Sequence, residues 1–151
     1  MESVDIIKQS SRRIYFTITG GGTHALAKLL MSGGASNVFV GANIPYSELE
    51  LDRILGVFNR KAVSVETAQN LALYSKWKSQ DIGVGVTCKL MKNNEREGRE
   101  HLVYMCISDK VRTVNYEFVP RGLCRYEQEV MVGNYILDTL AKFIGEKELV
   151  G

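Results

Sequence analysis

Six consecutive residues, Ile14-Tyr15-Phe16-Thr17-Ile18-Thr19, are all β-branched or aromatic, and three glycines, Gly20-Gly21-Gly22, follow at once. Such a run reads as a buried strand closed by a tight turn. Immediately afterwards the apolar period lengthens: Ala25, Leu26, Leu29 and Leu30 stand at helical spacing, and Gly33-Gly34 stops the helix. Strand, glycine turn, helix is the opening of an α/β unit. With 151 residues the chain has room for one ordinary domain and not for two independently cored ones.

The rest of the chain continues in that style. Val38, Phe39 and Val40 begin a second apolar run through Gly41 towards Ile44, and Pro45 ends regular pairing. A short helix is expected from Glu48 to Leu55, closed by Gly56. Ser64 is a good N-cap for a helix that carries Ala68, Leu71, Ala72 and Ser75 on one face and ends near Trp77. In the next strand, Asp81 to Cys88, Ile82, Val84 and Val86 alternate with Gly83 and Gly85. That leaves one bare face where a helix or another backbone can approach closely. The polar stretch Asn93 to Glu100 reads as a solvated hairpin tip, and His101 to Ile107 and Val111 to Val119 as an antiparallel hairpin. A last helix is expected from about Arg125 to Ile144, with Val130, Leu137, Leu140, Ala141 and Ile144 facing inward.

Composition removes several function classes. Nineteen basic against 17 acidic residues give a net charge of +2, far from the clustered basic face that nucleic acid or an anionic membrane requires. The basic residues Lys89, Lys92, Arg96 and Arg99 are interleaved with Glu95, Glu97 and Glu100, which cancel their field. Three cysteines, Cys88, Cys106 and Cys124, without CxxC spacing write neither a disulfide framework nor a zinc cluster. The two histidines, His24 and His101, lie in different segments, so no metal site is expected. No apolar run approaches the ~20 residues needed to span a bilayer. The opening Met1-Glu2-Ser3-Val4-Asp5 is acidic rather than signal-like, so a cytoplasmic protein is expected.

Taken in order, Thr19-Gly20-Gly21, Asn37 to Ser47, Leu55-Gly56, Ala62-Val63-Ser64 and Val84-Gly85-Val86-Thr87 form a pattern. It resembles the C-terminal domain family of competence/damage-inducible protein A (CinA), the nicotinamide mononucleotide amidohydrolases. The resemblance runs over roughly residues 14 to 144 of a single domain spanning 1 to 151. It implies a three-layer α/β/α sandwich with a central mixed sheet. It also implies self-association or a protein partner, and no cofactor.

The family's catalytic motifs are altered. Its first motif, E-S-C-T-G-G, carries a serine nucleophile, and the matching stretch here is Phe16-Thr17-Ile18-Thr19-Gly20-Gly21, with Thr17 at the nucleophile position. A threonine can serve only beside a base and with room for its methyl group. The second motif, Y-S-N-E-A-K, reads Tyr46-Ser47-Glu48-Leu49-Glu50-Leu51. Its activating lysine is Leu51, and general-base help of this kind is commonly worth about 10²- to 10⁴-fold. Arg53 and Lys61 are the nearest basic residues, and neither sits at that position. The third motif, G-I-A-G-P, is replaced by Cys88-Lys89-Leu90-Met91-Lys92. An arginine opening the family's final helix corresponds to Arg125, with Arg121 as second choice.

Two functions are therefore expected to compete. In the first the domain has lost deamidation of nicotinamide mononucleotide and serves as a binding, scaffold or assembly module. Such a module could keep a small nucleotide or phosphate on Gly20, Gly21, Gly22, Thr23, Ser47 and Arg125, since a glycine turn before a helix offers backbone N–H groups to an anion. In the second it remains an amidohydrolase with a rewired centre: Thr17 or Thr19 as nucleophile, Tyr46 as activator, the Gly20 and Gly21 amides as oxyanion donors and Arg125 on the phosphate.

Overall fold

A computed structural model describes residues 1–56, 61–92, 101–122 and 124–150, with side chains to residue 146. In chain order the elements are α1 (Ser3–Gln9), β1 (Ile14–Thr19), α2 (His24–Met31), β2 (Phe39–Asn43), α3 (Glu48–Leu55), α4 (Val65–Ser79), β3 (Ile82–Lys89), β4 (Leu102–Ser108), β5 (Thr113–Phe118) and α5 (Arg125–Val150). The sheet order is β2-β1-β3-β4-β5. β1 pairs in parallel with both β2 and β3, while β3 to β4 and β4 to β5 are antiparallel, so the sheet is mixed as expected. The polar stretch 93–100, with Arg96, Arg99, Glu95, Glu97 and Glu100, lies outside the described residues.

Strand alternation sorts the sheet into two faces. Ile14, Phe16 and Ile18 of β1 and Ile82, Val84 and Val86 of β3 are fully buried with α1, α2 and α5 over them, in the principal core. On the opposite face Thr17 stands beside Gly85, Tyr15 beside Gly83, and α4 lies across them. The bare side of β3 is used as its sequence implied. A Cβ at Gly83 would overlap the Ala72 carbonyl, and one at Gly85 the Ala68 carbonyl and Ala72 amide. Ala68 and Ala72, both fully buried, are small for the same reason.

The caps follow the local sequence. Ser64 accepts a bond from the Thr67 amide at 3.1 Å, and α4 runs to Ser79, two residues past Trp77, where Gln80 turns left-handed. The inner face of α5 is shifted from the expected one. Val130 is half-buried, whereas Val132, Ile136 and Phe143 join Leu137, Leu140, Ala141 and Ile144 in the core. The helix is 26 residues long, and its 3.6-residue period carries the apolar stripe around the axis. The amino-terminal segment supplies α1, which packs on α5 and donates from Ser3 Oγ to Asp138 at 2.5 Å.

At the amino ends of the central strands, Arg12 grips Asp81 with two parallel bonds of 2.7 and 2.8 Å and reaches buried Asp109 at 2.9 Å. Burial raises the Asp81 carboxyl, but the Arg12 bonds outweigh it and hold the group below its ordinary range. Among the described residues no helix is long and apolar enough to cross a membrane, and no cluster of His, Cys, Asp and Glu could hold a metal ion.

Candidate functional site

In a sheet ordered 2-1-3 the crossovers from β1 leave in opposite directions. Ligands of such sheets bind outside the carboxyl ends of the central strands, at this switch point. Here that place is formed by Thr19 to Thr23 after β1, by Thr87 to Met91 at the end of β3, and by the first turn of α5.

The glycine turn is shaped by close approach. Gly20 has φ +87°, and a Cβ there would overlap the Cys88 carbonyl. Against Gly21 stands the fully buried side chain of Leu90, and Cys88 Sγ lies 3.4 Å from the Gly21 carbonyl. Burial, with the charge of Glu129 adding to it, pushes the Cys88 thiol well above its ordinary value and keeps it protonated.

The turn's polar groups are occupied from α5. Glu129 Oε2 accepts the Gly22 amide at 2.8 Å, so a carboxylate of the chain itself stands at the positive end of α2. Arg125 donates to the Gly20 carbonyl at 2.6 Å and to the Met91 carbonyl at 3.3 Å, and lies 3.7 Å from Glu129. Fully buried Gln128 accepts the Met91 amide at 2.6 Å and meets His101 Nδ1 at 3.1 Å. Of the two arginines, Arg125 opens the final helix and reaches the turn; Arg121 is exposed. Thr23 precedes α2 with its side chain exposed and making no capping bond.

The catalytic candidates share no hydrogen bond with one another among the described residues. Thr17 has no solvent exposure, and its hydroxyl lies 2.7 Å from Ser75 Oγ on α4. Ser75 spends its one proton on the Val84 carbonyl at 3.1 Å, so Thr17 is the donor to Ser75. No titratable group hydrogen-bonds to the Thr17 hydroxyl among the described residues. Thr19 is also buried, beside Thr87 at the strand ends, and its hydroxyl has no hydrogen bond among the described residues. Thr87 donates to the Ala62 carbonyl at 2.7 Å. Tyr46 is 71% exposed and forms no hydrogen bond with Thr17 or Thr19. Ser47 is the N-cap of α3, accepting from the Glu50 amide at 3.2 Å. Leu51, at the position of the family's lysine, is buried, and Arg53 pairs with Glu50 at 3.2 Å.

The structure thus ties Gly20 and Gly22 to the first turn of α5 through Arg125 and Glu129, while Thr17, Tyr46 and Ser47 share no hydrogen bond with them among the described residues. Sequence reasoning did not find Glu129, Gln128 or the Ser75 relay. The only local signal for Glu129 is its i+4 spacing from Arg125.

No protein-family model matches the sequence, and no curated protein matches it. Solved structures do match. A CinA superfamily protein from Enterobacter cloacae superposes with TM-score 0.77 at 16% identity, over 95% of this chain and 93% of that one. A CinA superfamily protein from Klebsiella pneumoniae gives TM-score 0.79 at 11% identity, over 97% and 99%. A competence/damage-inducible protein from Agrobacterium tumefaciens gives 0.75 at 18%, over 91% and 93%.

Proposed function

We propose that this chain, which has the fold of the CinA superfamily structures, is a non-hydrolysing module that acts by assembling with protein. One observation carries the reading. The residue at the nucleophile position, Thr17, is sealed under α4 with its proton committed to Ser75. A buried hydroxyl without a base in reach is not activated for attack. Two further changes agree with it: Leu51 cannot move a proton, and Leu90 fills the space against Gly21.

The anion cradle is also satisfied from within. A phosphate at Gly20 to Thr23 would have to displace the Glu129 carboxylate from the Gly22 amide and take Arg125 from two carbonyls. Assembly is therefore favoured over nucleotide binding, in a reducing cytoplasm suited to the free thiols of Cys88, Cys106 and Cys124. The test is ammonia release from nicotinamide mononucleotide, with binding followed by calorimetry. No turnover is expected, and no heat of binding until Glu129→Gln removes the resident charge. Turnover by the unaltered chain that disappears in Thr17→Ala overturns the reading.

One observation favours the hydrolase alternative: the Thr19 hydroxyl, at the carboxyl end of β1, has no hydrogen bond among the described residues. Turnover abolished by Thr19→Val and retained in Thr17→Val would establish it.

A further inference from the structure

The two edges of the sheet, β2 and β5, are finished differently. β2 is five residues long, holds Gly41, and shifts its register against β1 between Ile14 and Tyr15. Short strands and irregular registers blunt an edge against further pairing. β5 pairs with β4 without a shift and contains no glycine, proline or lysine. Neither of its faces is closed. Thr113, Asn115 and Glu117, on the α4 side, are exposed, and Val114, Tyr116 and Phe118, on the core side, are only half-buried.

The phase of its hydrogen bonds follows from the turn before it. The Asp109 amide donates to the Arg112 carbonyl at 2.9 Å, so these two residues are a bonded pair. In an antiparallel ladder bonded and non-bonded pairs alternate, and side chains lie closer in the non-bonded ones. Ser108 and Thr113 are the next pair, and their hydroxyls meet at 2.7 Å. Val114, Tyr116 and Phe118 therefore spend their amides and carbonyls on β4, while those of Thr113, Asn115 and Glu117 are directed away from the sheet. No turn, loop or helix carbonyl accepts these three amides among the described residues.

A row of outward amides and carbonyls at every second residue is complemented by an extended polypeptide, which adds itself as a further strand. Antiparallel addition continues the meander of β3, β4 and β5 and sets each outward residue against one opposite. Residues opposite Val114, Tyr116 and Phe118 then lie on the core side, beside the Phe118 ring stacked 4.3 Å from that of Tyr135 on α5, and have to be apolar. Those opposite Thr113, Asn115 and Glu117 stay in water. Glu117 is the strand's one charge and forms no ion pair among the described residues, so a lysine or arginine opposite it is favoured. A six-residue edge falls short of the ~800 Å² per partner of a standard interface between two folded bodies. A strand added through main-chain bonds does not need that area.

We propose that β5 is a docking edge for an extended segment of another protein, in which apolar residues alternate with polar ones and a basic residue faces Glu117; this rests on the assembly reading and gives the partner its chemistry. Amide hydrogen exchange of the isotope-labelled chain, titrated with the peptide acetyl-Val-Lys-Val-Thr-Val-Thr-amide, tests it. In the free chain the Thr113, Asn115 and Glu117 amides should exchange at least about tenfold faster than those of Val114, Tyr116 and Phe118, and the peptide should slow those three at least about tenfold. Methylating the peptide's lysine and threonine amides should abolish binding, and methylating its valine amides should spare it. Glu117→Lys should weaken binding about three- to tenfold, and a peptide with glutamate in place of lysine should restore it. A chain that takes up no peptide at millimolar concentration overturns the proposal. So does the reverse order of exchange, protection that falls on β2 or a helix, or binding indifferent to the methyl positions. Protection of the same three amides that rises with protein concentration, without peptide, would give the edge to a second copy and overturn the partner. Ammonia release from nicotinamide mononucleotide by a chain that binds the peptide would overturn the non-hydrolysing reading and leave this edge standing.

Discussion

Towards α1, α2 and α5, the central strands present Ile14, Phe16, Ile18, Ile82, Val84 and Val86; towards α4 the same strands present Tyr15, Thr17, Thr19, Gly83, Gly85 and Thr87. The first side is thick and is held by interlocking apolar side chains. The second is thin, and a helix backbone rests almost directly on a strand backbone. On the thick side a lost methylene opens a cavity. On the thin side an added methyl group has nowhere to go. The difference bears on chemistry as well as stability, because Thr17 stands on the thin side, where the approach of α4 covers its hydroxyl and Ser75 supplies the partner.

The largest effect should come from the thin side. Gly85→Val would drive a branched side chain into the Ala68 carbonyl and Ala72 amide, neither of which can yield while α4 remains helical. No folded protein is expected, measured by circular dichroism and soluble yield. A native-like spectrum would show that α4 can lift off the sheet. Next comes the thick side, where Phe16→Ala removes a fully buried ring stacked 5.8 Å from Phe39. A loss of about 3–5 kcal/mol with the fold retained is expected from urea denaturation.

The hydroxyl relay gives a smaller, ordered pair. Ser75→Ala strands the buried Thr17 proton without an acceptor and should cost about 1–3 kcal/mol. Thr17→Val leaves Ser75 still bonded to the Val84 carbonyl and should cost less, about 1 kcal/mol. The reverse order would mean that Thr17 accepts rather than donates.

The smallest effect is in the alkaline range, where buried thiols and phenols, Cys106 and Tyr116 among them, lie on both sides. Burial pushes the Cys106 thiol, on the α4 side, up from 9.0 to about 11. Burial, then the charge of Glu146, pushes the Tyr116 hydroxyl, on the other side, from 10.0 to about 12. Both pKa values are raised on folding, so their contribution is complete below the ordinary values and is lost as pH rises through the raised ones. The melting temperature should begin to fall near pH 9, and Cys106→Ala should make that fall shallower. A fall unchanged by Cys106→Ala would place the loss on the other raised groups, Cys88 and Tyr116 among them.

The sequence made the skeleton readable wherever the cause is local. Six β-branched and aromatic residues before three glycines define β1 and its turn, Ser64 caps α4, and the Gly83, Gly85 alternation announces a close helix. The site was readable only in half. Gly20 to Gly22 and Arg125 stand out by composition and position, whereas Glu129 meets Gly22 across 107 residues and Thr17 meets Ser75 across 58. Only tertiary packing writes such contacts. The inner stripe of α5 was displaced at Val130 because a long helix sets its rotation by what it packs on.

The clamp on the glycine turn has a consequence for how the polypeptide is made. The first strand ends in a turn whose carbonyl and amide are held by Arg125 and Glu129, 105 and 107 positions later, and α1 is bonded to Asp138. A chain synthesised from its amino end therefore cannot finish its first supersecondary unit until its last helix has been delivered. Phe16 and Ile18 of β1, and Val86 of β3 once it is made, wait for α5 to complete their cover, so the protein closes like a ring and not by adding layers.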